Sequence, residues 1–154
     1  MKRIILEYKQ VDLILTRICH QLVEDHGDFN HTAILALQPK GILLGKAIVQ
    51  KLETLFGIHA TYGELDTTFH RDDFRRSDKL LIPNEVNIDF EIENKRIILV
   101  DDVLYTGRSI RAALDAVNDY GRPASIELVT LINRKYKREV PIQPDYIGEN
   151  IDSR

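Results

Sequence analysis

Two adjacent carboxylates, Asp101 and Asp102, stand just ahead of the short run Thr106-Gly107-Arg108-Ser109. A carboxylate pair accepts hydrogen bonds from sugar hydroxyls or holds a hydrated Mg²⁺ ion. A loop of hydroxyl residues and glycine that opens a helix presents unpaired N–H groups and a partial positive charge to a phosphate. The elements that must position these groups are legible on either side. Ile97-Ile98-Leu99-Val100 reads as a central strand, buried on both faces, that ends at the two acids. Ile110, Ala113, Leu114 and Val117 recur at helical spacing directly after the loop. In an open α/β sheet ligands bind beyond the carboxyl ends of the strands, which is where this order places acids and loop together. An Asp-Asp pair also ends Walker B and receiver-domain strands. The NTPase alternative lacks its phosphate loop, because Gly41 to Lys46 has one residue too few between the glycines and Ala47 follows the lysine. The plainer alternative is that the acids cap a turn and Thr106-Gly107 only starts a helix.

With 154 residues and 44% hydrophobic content, the chain suits a single domain, 1–154, with its own core. A net charge of −3, with the signs interspersed, leaves no global nucleic-acid footprint, so any polyanion contact must be local. The lone cysteine, Cys19, excludes an internal disulfide and a cysteine-rich metal site. The apolar run at Ile4-Ile5-Leu6 is too short for a signal peptide, and no run approaches transmembrane length, so a cytoplasmic protein with no membrane partner is expected.

In chain order, Ile4 to Leu6 reads as a short edge strand. Val11, Ile14, Leu15, Ile18 and Leu22 form one stripe of a helix that ends near Gly27, with Thr16, Arg17 and His20 off that stripe. Ala33 to Leu37 reads as a parallel strand stopping at Gln38-Pro39-Lys40-Gly41. A helix over Gly41 to Phe56 follows, stopped by Gly57. Before proline a cis bond costs only ~0.5–1 kcal/mol, and a trans turn-forming proline at the strand end is the plain reading of Gln38–Pro39. Ala60 to Phe69 reads as a strand leading to His70-Arg71. The stretch from 72 to about 94 is polar and charged, carries Arg75, Arg76 and Lys79, and suits a flap or a solvated hairpin. Within it Val86, Ile88, Phe90 and Ile92 alternate as a strand does. Gly121 ends the helix that follows the acids. Ile126 to Ile132 reads as another strand, ending at Asn133 and Arg134, which makes those two residues candidates for contact with a ligand.

A hydrophobic strand, two acids, a few mostly apolar residues and T-G-[RK]-[ST] opening a helix resembles the phosphoribosyl diphosphate (PRPP) motif of type I phosphoribosyltransferases. The longer string V-D-D-V-L-Y-T-G-R-S-I-R-A-A-L-D-A-V, then G-R-P-A-S-I, is most similar to the pyrimidine operon attenuator and uracil phosphoribosyltransferase family, PyrR. Gly63-Glu64-Leu65-Asp66-Thr67-Thr68-Phe69-His70-Arg71-Asp72-Asp73 resembles that family's G-E-x-D-x-T-x-Y-R-D-D, and Pro141 to Gly148 its P-I-x-A-D-Y-I-G. The resemblance implies an α/β type I phosphoribosyltransferase fold: a central, mostly parallel sheet flanked by helices, with a flexible flap hairpin at about 72–94. It also implies a reduced C-terminal hood, since family members continue for a further hairpin beyond Arg154.

For function it implies transfer of phosphoribosyl from PRPP to uracil, giving UMP and diphosphate, with Mg²⁺ as cofactor. Leu104, Tyr105, Thr106, Gly107, Arg108 and Ser109 would bind the 5′-phosphate. Gln38, Pro39, Lys40 and Gly41 would grip the diphosphate with Arg71, through a loop whose peptide is cis in type I enzymes, so that Gln38–Pro39 is expected cis; an ordinary ion pair of Arg71 with Asp72 or Asp73 is the alternative. Asn133 and Arg134 would meet the nucleobase. Asp101 and Asp102 would hold the ribose diol, touch the metal only through water or ribose hydroxyls, and share catalysis with Arg71. The segment T-R-I-x-H, here Thr16, Arg17 and His20, contributes in the family to an RNA-binding surface; an ordinary solvated helix face is the alternative. Lys137 and Arg138, among the four cations of 134–138, are either part of a patch for a leader RNA or a solvated turn. Relatives form dimers or larger homo-oligomers.

Departures from the family pattern are Gln38-Pro39-Lys40 for K-T-R, His70 for Tyr, Gln143 for Arg, and a 133–141 loop one residue longer and without its His. Two further readings therefore stand beside the uracil enzyme: a UMP- or PRPP-sensing RNA-binding regulator, and a transferase acting on a purine base.

Overall fold

Alternating apolar residues along a strand bury both faces of a sheet only if helices cover both sides, and this chain supplies them. The computed structural model describes residues 4–71 and 88–152. In order the elements are α1 (Tyr8–His26), β1 (Thr32–Leu37), α2 (Ile42–Phe56), β2 (Thr61–Leu65), a 3₁₀ turn (Thr68–His70), β3 (Arg96–Leu104), α3 (Arg108–Asn118), β4 (Ser125–Arg134) and β5 (Tyr146–Ile151). The strands form one sheet in the order β2-β1-β3-β4-β5, and every pairing is parallel.

Ile34, Ile98, Val100 and Val129 point to the side covered by α1 and α2, where they meet Leu15, Ile18, Leu22, Ile48 and Leu52. Their strand neighbours Ala33, Leu35, Ile97 and Leu99 point to the other side and meet Ala113 and Val117 of α3. The stripe read along α1 is thus the buried one. Gly45 lets α2 lie close on the sheet, since a Cβ there would stand 2.8 Å from the Ala36 Cβ.

At the edge where β3 and β4 begin, a polar cluster joins four strands to α1. His26 has its Nε2 2.8 Å from Glu127 Oε2 and its Nδ1 2.9 Å from the Thr32 hydroxyl. The tautomer with its proton on Nε2 satisfies both contacts. Tyr146 donates its hydroxyl proton within reach of Asp25 Oδ2 (2.6 Å) and Glu127 Oε2 (3.0 Å). Arg96 reaches Glu127 Oε1 at 3.2 Å. Burial pushes the Glu127 carboxyl up, yet the hydrogen bonds from His26, Tyr146 and Arg96 outweigh it and hold it below the usual carboxylate range.

Several expectations need correction. No strand forms at Ile4 to Leu6; Ile4 and Ile5 are exposed and have no sheet neighbour to pair with. The strand carrying the acids does not end at them but runs through Asp101 and Asp102 to Leu104, because β4 continues alongside, with Asp101 opposite Thr130 and Leu104 opposite Asn133. The strand placed at 60–69 closes at Leu65, where β1 also ends. Residues 88–92 are not a strand: Ile92 is buried and Ile88 and Phe90 pack on the α3 side, so the alternation records burial without a strand partner. The rest of the flap, with Arg75, Arg76 and Lys79, lies outside the described residues. β5 pairs with β4 and was not read as a strand. No helix among the described residues is long and apolar enough to cross a membrane.

Candidate active site

β1 and β3 both deliver their carboxyl ends to the same side of the sheet, and the loops that leave them enclose a cavity of about 440 Å³. Gln38, Pro39 and Lys40 line it from the β1 exit, Asp101 to Gly107 and Ser109 from the β3 exit, Arg71 from the 3₁₀ turn and Arg134 from the end of β4. Residues far apart in sequence thus meet in the arrangement their types suggested.

Asp101 is 8% exposed and Asp102 half-buried. Each side chain is tethered to the next backbone amide: Asp102 N–H donates to Asp101 Oδ1 (2.9 Å) and Val103 N–H to Asp102 Oδ1 (2.7 Å). Burial, reinforced by the neighbouring Asp102 carboxylate and partly opposed by the Asp102 amide, pushes the Asp101 carboxyl up to about 7. A ligand bringing positive charge or hydroxyl donors would draw it back to the ionised form.

The loop after β3 turns its carbonyls away from the cavity. Tyr105 O accepts from Arg138 Nη1 at 2.7 Å, and Thr106 O accepts from the amides of Glu139 (2.8 Å) and Val140 (3.1 Å). Gly107, at φ 92°, makes the left-handed step that starts α3, a conformation glycine adopts without strain. The amides of Thr106, Gly107 and Ser109 have no acceptor among the described residues, and Arg108 N–H donates to the Thr106 hydroxyl at 3.2 Å. Donors facing inward at a helix N-terminus, with the carbonyls held outward, make an anion seat.

The β1 exit holds the cis peptide Gln38–Pro39. Lys40 is exposed at the cavity rim, where its ammonium favours the ionised Asp101. Gly41 does not line the cavity. It is buried where β1 leaves the sheet, and a Cβ there would stand 2.3 Å from the Val100 carbonyl oxygen. Arg71 is exposed at the opposite wall, beside buried Thr67. The 3₁₀ turn before it is tied to the end of α3 by His70 and Asp119 at 2.7 Å.

The remaining candidates divide. Arg134 lays its guanidinium 3.9 Å over the Tyr105 ring at the cavity wall, a position from which a planar base can be met. Asn133 does not join it: it is buried, donates to Asn150 Oδ1 (2.9 Å), accepts from Arg138 Nη2 (2.6 Å), and lines a separate cavity of about 560 Å³. Leu104 is buried and offers only backbone, and Arg108 points away to Glu139 at 2.7 Å. Of the RNA candidates, Arg17 is spent on the carbonyls of Ile147 (3.1 Å) and Gly148 (2.7 Å), and Thr16 on Lys51 and the Asp12 carbonyl. Arg138 is half-buried behind the anion seat. His20 and Lys137 are exposed, Lys137 in a left-handed turn at φ 65°. Thr67 and Val103 line the site without having been singled out. Thr67 sits inside the quoted 63–73 segment, whereas nothing in Val103 itself signals a site.

Among known proteins, the model of the phosphoribosyl transferase domain matches residues 3–153. Similar curated proteins include the Bifunctional protein PyrR of Picosynechococcus, 42% identical over 147 residues that span 96% of this chain and 82% of that protein. The Bifunctional protein PyrR of Bacillus subtilis is 40% identical over 153 residues, 97% of this chain and 83% of that one. Among solved structures, a hypoxanthine phosphoribosyltransferase from Staphylococcus aureus superposes with a TM-score of 0.76 at 17% identity, over 100% of this chain and 80% of that chain. A hypoxanthine-guanine phosphoribosyltransferase from Bacillus anthracis gives 0.73 at 16%, over 99% and 85%.

Proposed function

The chain belongs to the phosphoribosyl transferase domain family and, within it, with the PyrR proteins, and from that premise we propose that it transfers phosphoribosyl from PRPP to uracil in the cytoplasm. The observation that supports this reading is a single cavity lined by Asp101, Asp102, Lys40 and Arg71 beside the amides of Thr106, Gly107 and Ser109, which have no acceptor among the described residues. An anion seat, a diol-binding acid pair and a cationic rim match, in order, the 5′-phosphate, the ribose and the diphosphate of PRPP.

The seat fixes the 5′-phosphate. Asp101 and Asp102 accept hydrogen bonds from the ribose hydroxyls and stabilise positive charge developing on the ring. Lys40 and Arg71 neutralise the departing diphosphate, the guanidinium by paired donation. Uracil N1 bonds to ribose C1 with inversion while the C1–O bond breaks, its electron pair leaving on diphosphate; the N1 proton passes to diphosphate or water. Holding both partners in near-attack geometry supplies ~7–11 kcal/mol, and no covalent nucleophile is required. The donor set fits Mg²⁺, a hard ion that takes one or two carboxylates and completes its shell with phosphate oxygens and water. Asp101 and Asp102 would hold it through water or ribose hydroxyls, and it would supply charge neutralisation at the diphosphate.

Purified protein incubated with PRPP, Mg²⁺ and a panel of labelled bases is expected to form UMP from uracil and little product from hypoxanthine or guanine. Equal or greater turnover of a purine overturns the base assignment, and failure to bind PRPP or any ribonucleotide overturns the reading entirely.

One observation favours a second activity. Arg17 contacts Ile147, which lines the same cavity as Lys135 and Arg138, so the two separated basic segments meet beside β5. With His20 and Lys137 exposed, this side supports contact with a pyrimidine-leader RNA. Salt-dependent RNA binding that UMP strengthens is expected, and flat background binding removes it.

A further inference from the structure

Arg138 stands in a run of cations whose other members are exposed or at the rim, yet it is half-buried and its guanidinium is divided between two internal acceptors. Nη1 donates to the Tyr105 carbonyl at 2.7 Å and Nη2 to Asn133 Oδ1 at 2.6 Å. Tyr105 belongs to the loop that follows β3, and Asn133 to the last turn of β4. The loop beyond Arg138 continues the contact, with the amides of Glu139 and Val140 both on the Thr106 carbonyl. The Glu139 carboxylate meets Arg108 at 2.7 Å. The aliphatic stem of Arg138 and the Val140 carbonyl also close over Gly107, 3.6 and 3.2 Å from where a Cβ would stand.

We propose that Arg138 is a positioning residue for the anion seat, a strut that holds the Tyr105 carbonyl outward so that the amides of Thr106, Gly107 and Ser109 face the ligand phosphate. The physical need is specific. A peptide unit that flips brings its carbonyl oxygen, with its partial negative charge, to where its N–H stood, turning an attractive contact with phosphate into a repulsive one. Two successive carbonyls, at Tyr105 and Thr106, must face outward for the seat to form, and both are held by the segment 138–140. A guanidinium suits this task because its planar fork satisfies a backbone oxygen and a side-chain amide at fixed separation, whereas an ammonium is a point donor. Lys137, in its left-handed turn, is the backbone reversal that brings Arg138 back toward the seat.

The strut acts at one end of the site only, which separates it from a general packing role. It rests on the reading of the cavity as a PRPP site, and the test distinguishes the two. Calorimetry of the full chain is run with ribose 5-phosphate, which needs the seat, and with Mg²⁺-diphosphate, which needs the Lys40 and Arg71 end. For Arg138→Ala, ribose 5-phosphate is expected to bind at least tenfold more weakly and diphosphate within twofold of the parent chain. KM for PRPP rises with kcat held within about threefold. Arg138→Lys is expected to behave like Arg138→Ala. Asn133→Ala, which frees one arm of the fork and carries the test if Arg138→Ala does not fold, is expected to cost about threefold at the same end. Unchanged ribose 5-phosphate binding in the variants overturns the strut, as does equal loss of both ligands, which marks general loosening. Recovery by lysine also overturns it, since charge alone would then suffice. If the parent chain binds neither ligand, the PRPP reading fails and the strut with it.

Discussion

Asp101 and Glu127 are carboxylates on neighbouring strands of one sheet, both drawn away from water, and their environments treat them oppositely. Glu127, near the start of β4, receives His26, Tyr146 and Arg96 and is held below the ordinary carboxylate range. Asp101, near the end of β3, has backbone help from Asp102 alone and is pushed up to about 7. The starting edge of the sheet therefore gains stability from its charge, while the finishing edge carries charge that is costly until a ligand supplies a partner. A binding site must leave something unsatisfied, and the two ends of this sheet divide that labour.

Five variants would break or sharpen this contrast. The largest effect is expected from Asp101→Asn, which should cut phosphoribosyl transfer by roughly 10²–10³-fold, the scale of losing one pre-oriented charged group. The same variant should be more stable than its parent at pH 8, by an amount of order 2 kcal/mol. The sign follows from the raised position of Asp101: the folded chain keeps that proton more tightly than the unfolded one, so this residue's contribution to stability is greatest below about pH 4 and is lost as the pH rises through about 7. Urea midpoints at pH 8 and pH 5 should show the gain from asparagine shrinking at the lower pH. An unchanged gain would place Asp101 outside the costly class.

Next, removing one partner of the buried cluster, as in His26→Ala, should cost about 3 kcal/mol and leave KM for PRPP unchanged, since the cluster lies away from the cavity. Glu127 works in the opposite sense to Asp101: its stabilisation is present above its unfolded pKa and disappears as the pH falls through its depressed folded value. Glu127→Gln should therefore be most damaging at neutral pH, and similar to its parent in acid. A fourth variant, Gly41→Ala, should cost about 1–3 kcal/mol through the clash with the Val100 carbonyl and weaken PRPP binding as well. It is a change expected to lower stability and binding together, unlike Asp101→Asn. Smallest of all, Lys137→Gly keeps a positive φ at lower strain and should shift stability by less than about 0.5 kcal/mol.

The acids, the seat and the β1 exit could be read in one dimension because each is a local string: a strand run into polar residues, a glycine step, a helix start. The orientation of individual side chains could not. Asn133 and Arg134 are adjacent and were indistinguishable as candidates, yet strand geometry sends them to opposite sides, one into the cavity and one to Asn150. Arg138 looked like any other member of a basic run, and only the fold brings Tyr105 within reach of it. The end of β3 was misplaced for a related reason, since two acids look like a boundary until a neighbouring strand continues beside them. The alternation at 88–92 misled in the other direction, because side chains without a strand partner can still bury every second position.

Gly41 also bears on what can diverge in this architecture. With no side chain between the β1 exit and the Val100 carbonyl, main chain rests directly on main chain, and the gap between the cationic rim and the anion seat is set by peptide dimensions. If the cavity holds PRPP as proposed, substitution at the rim or the seat tunes strength but not span, and the site acts as a ruler cut to one phosphorylated pentose. On the same reading, the freedom to accept a different base is left to the far ends of β4 and β5.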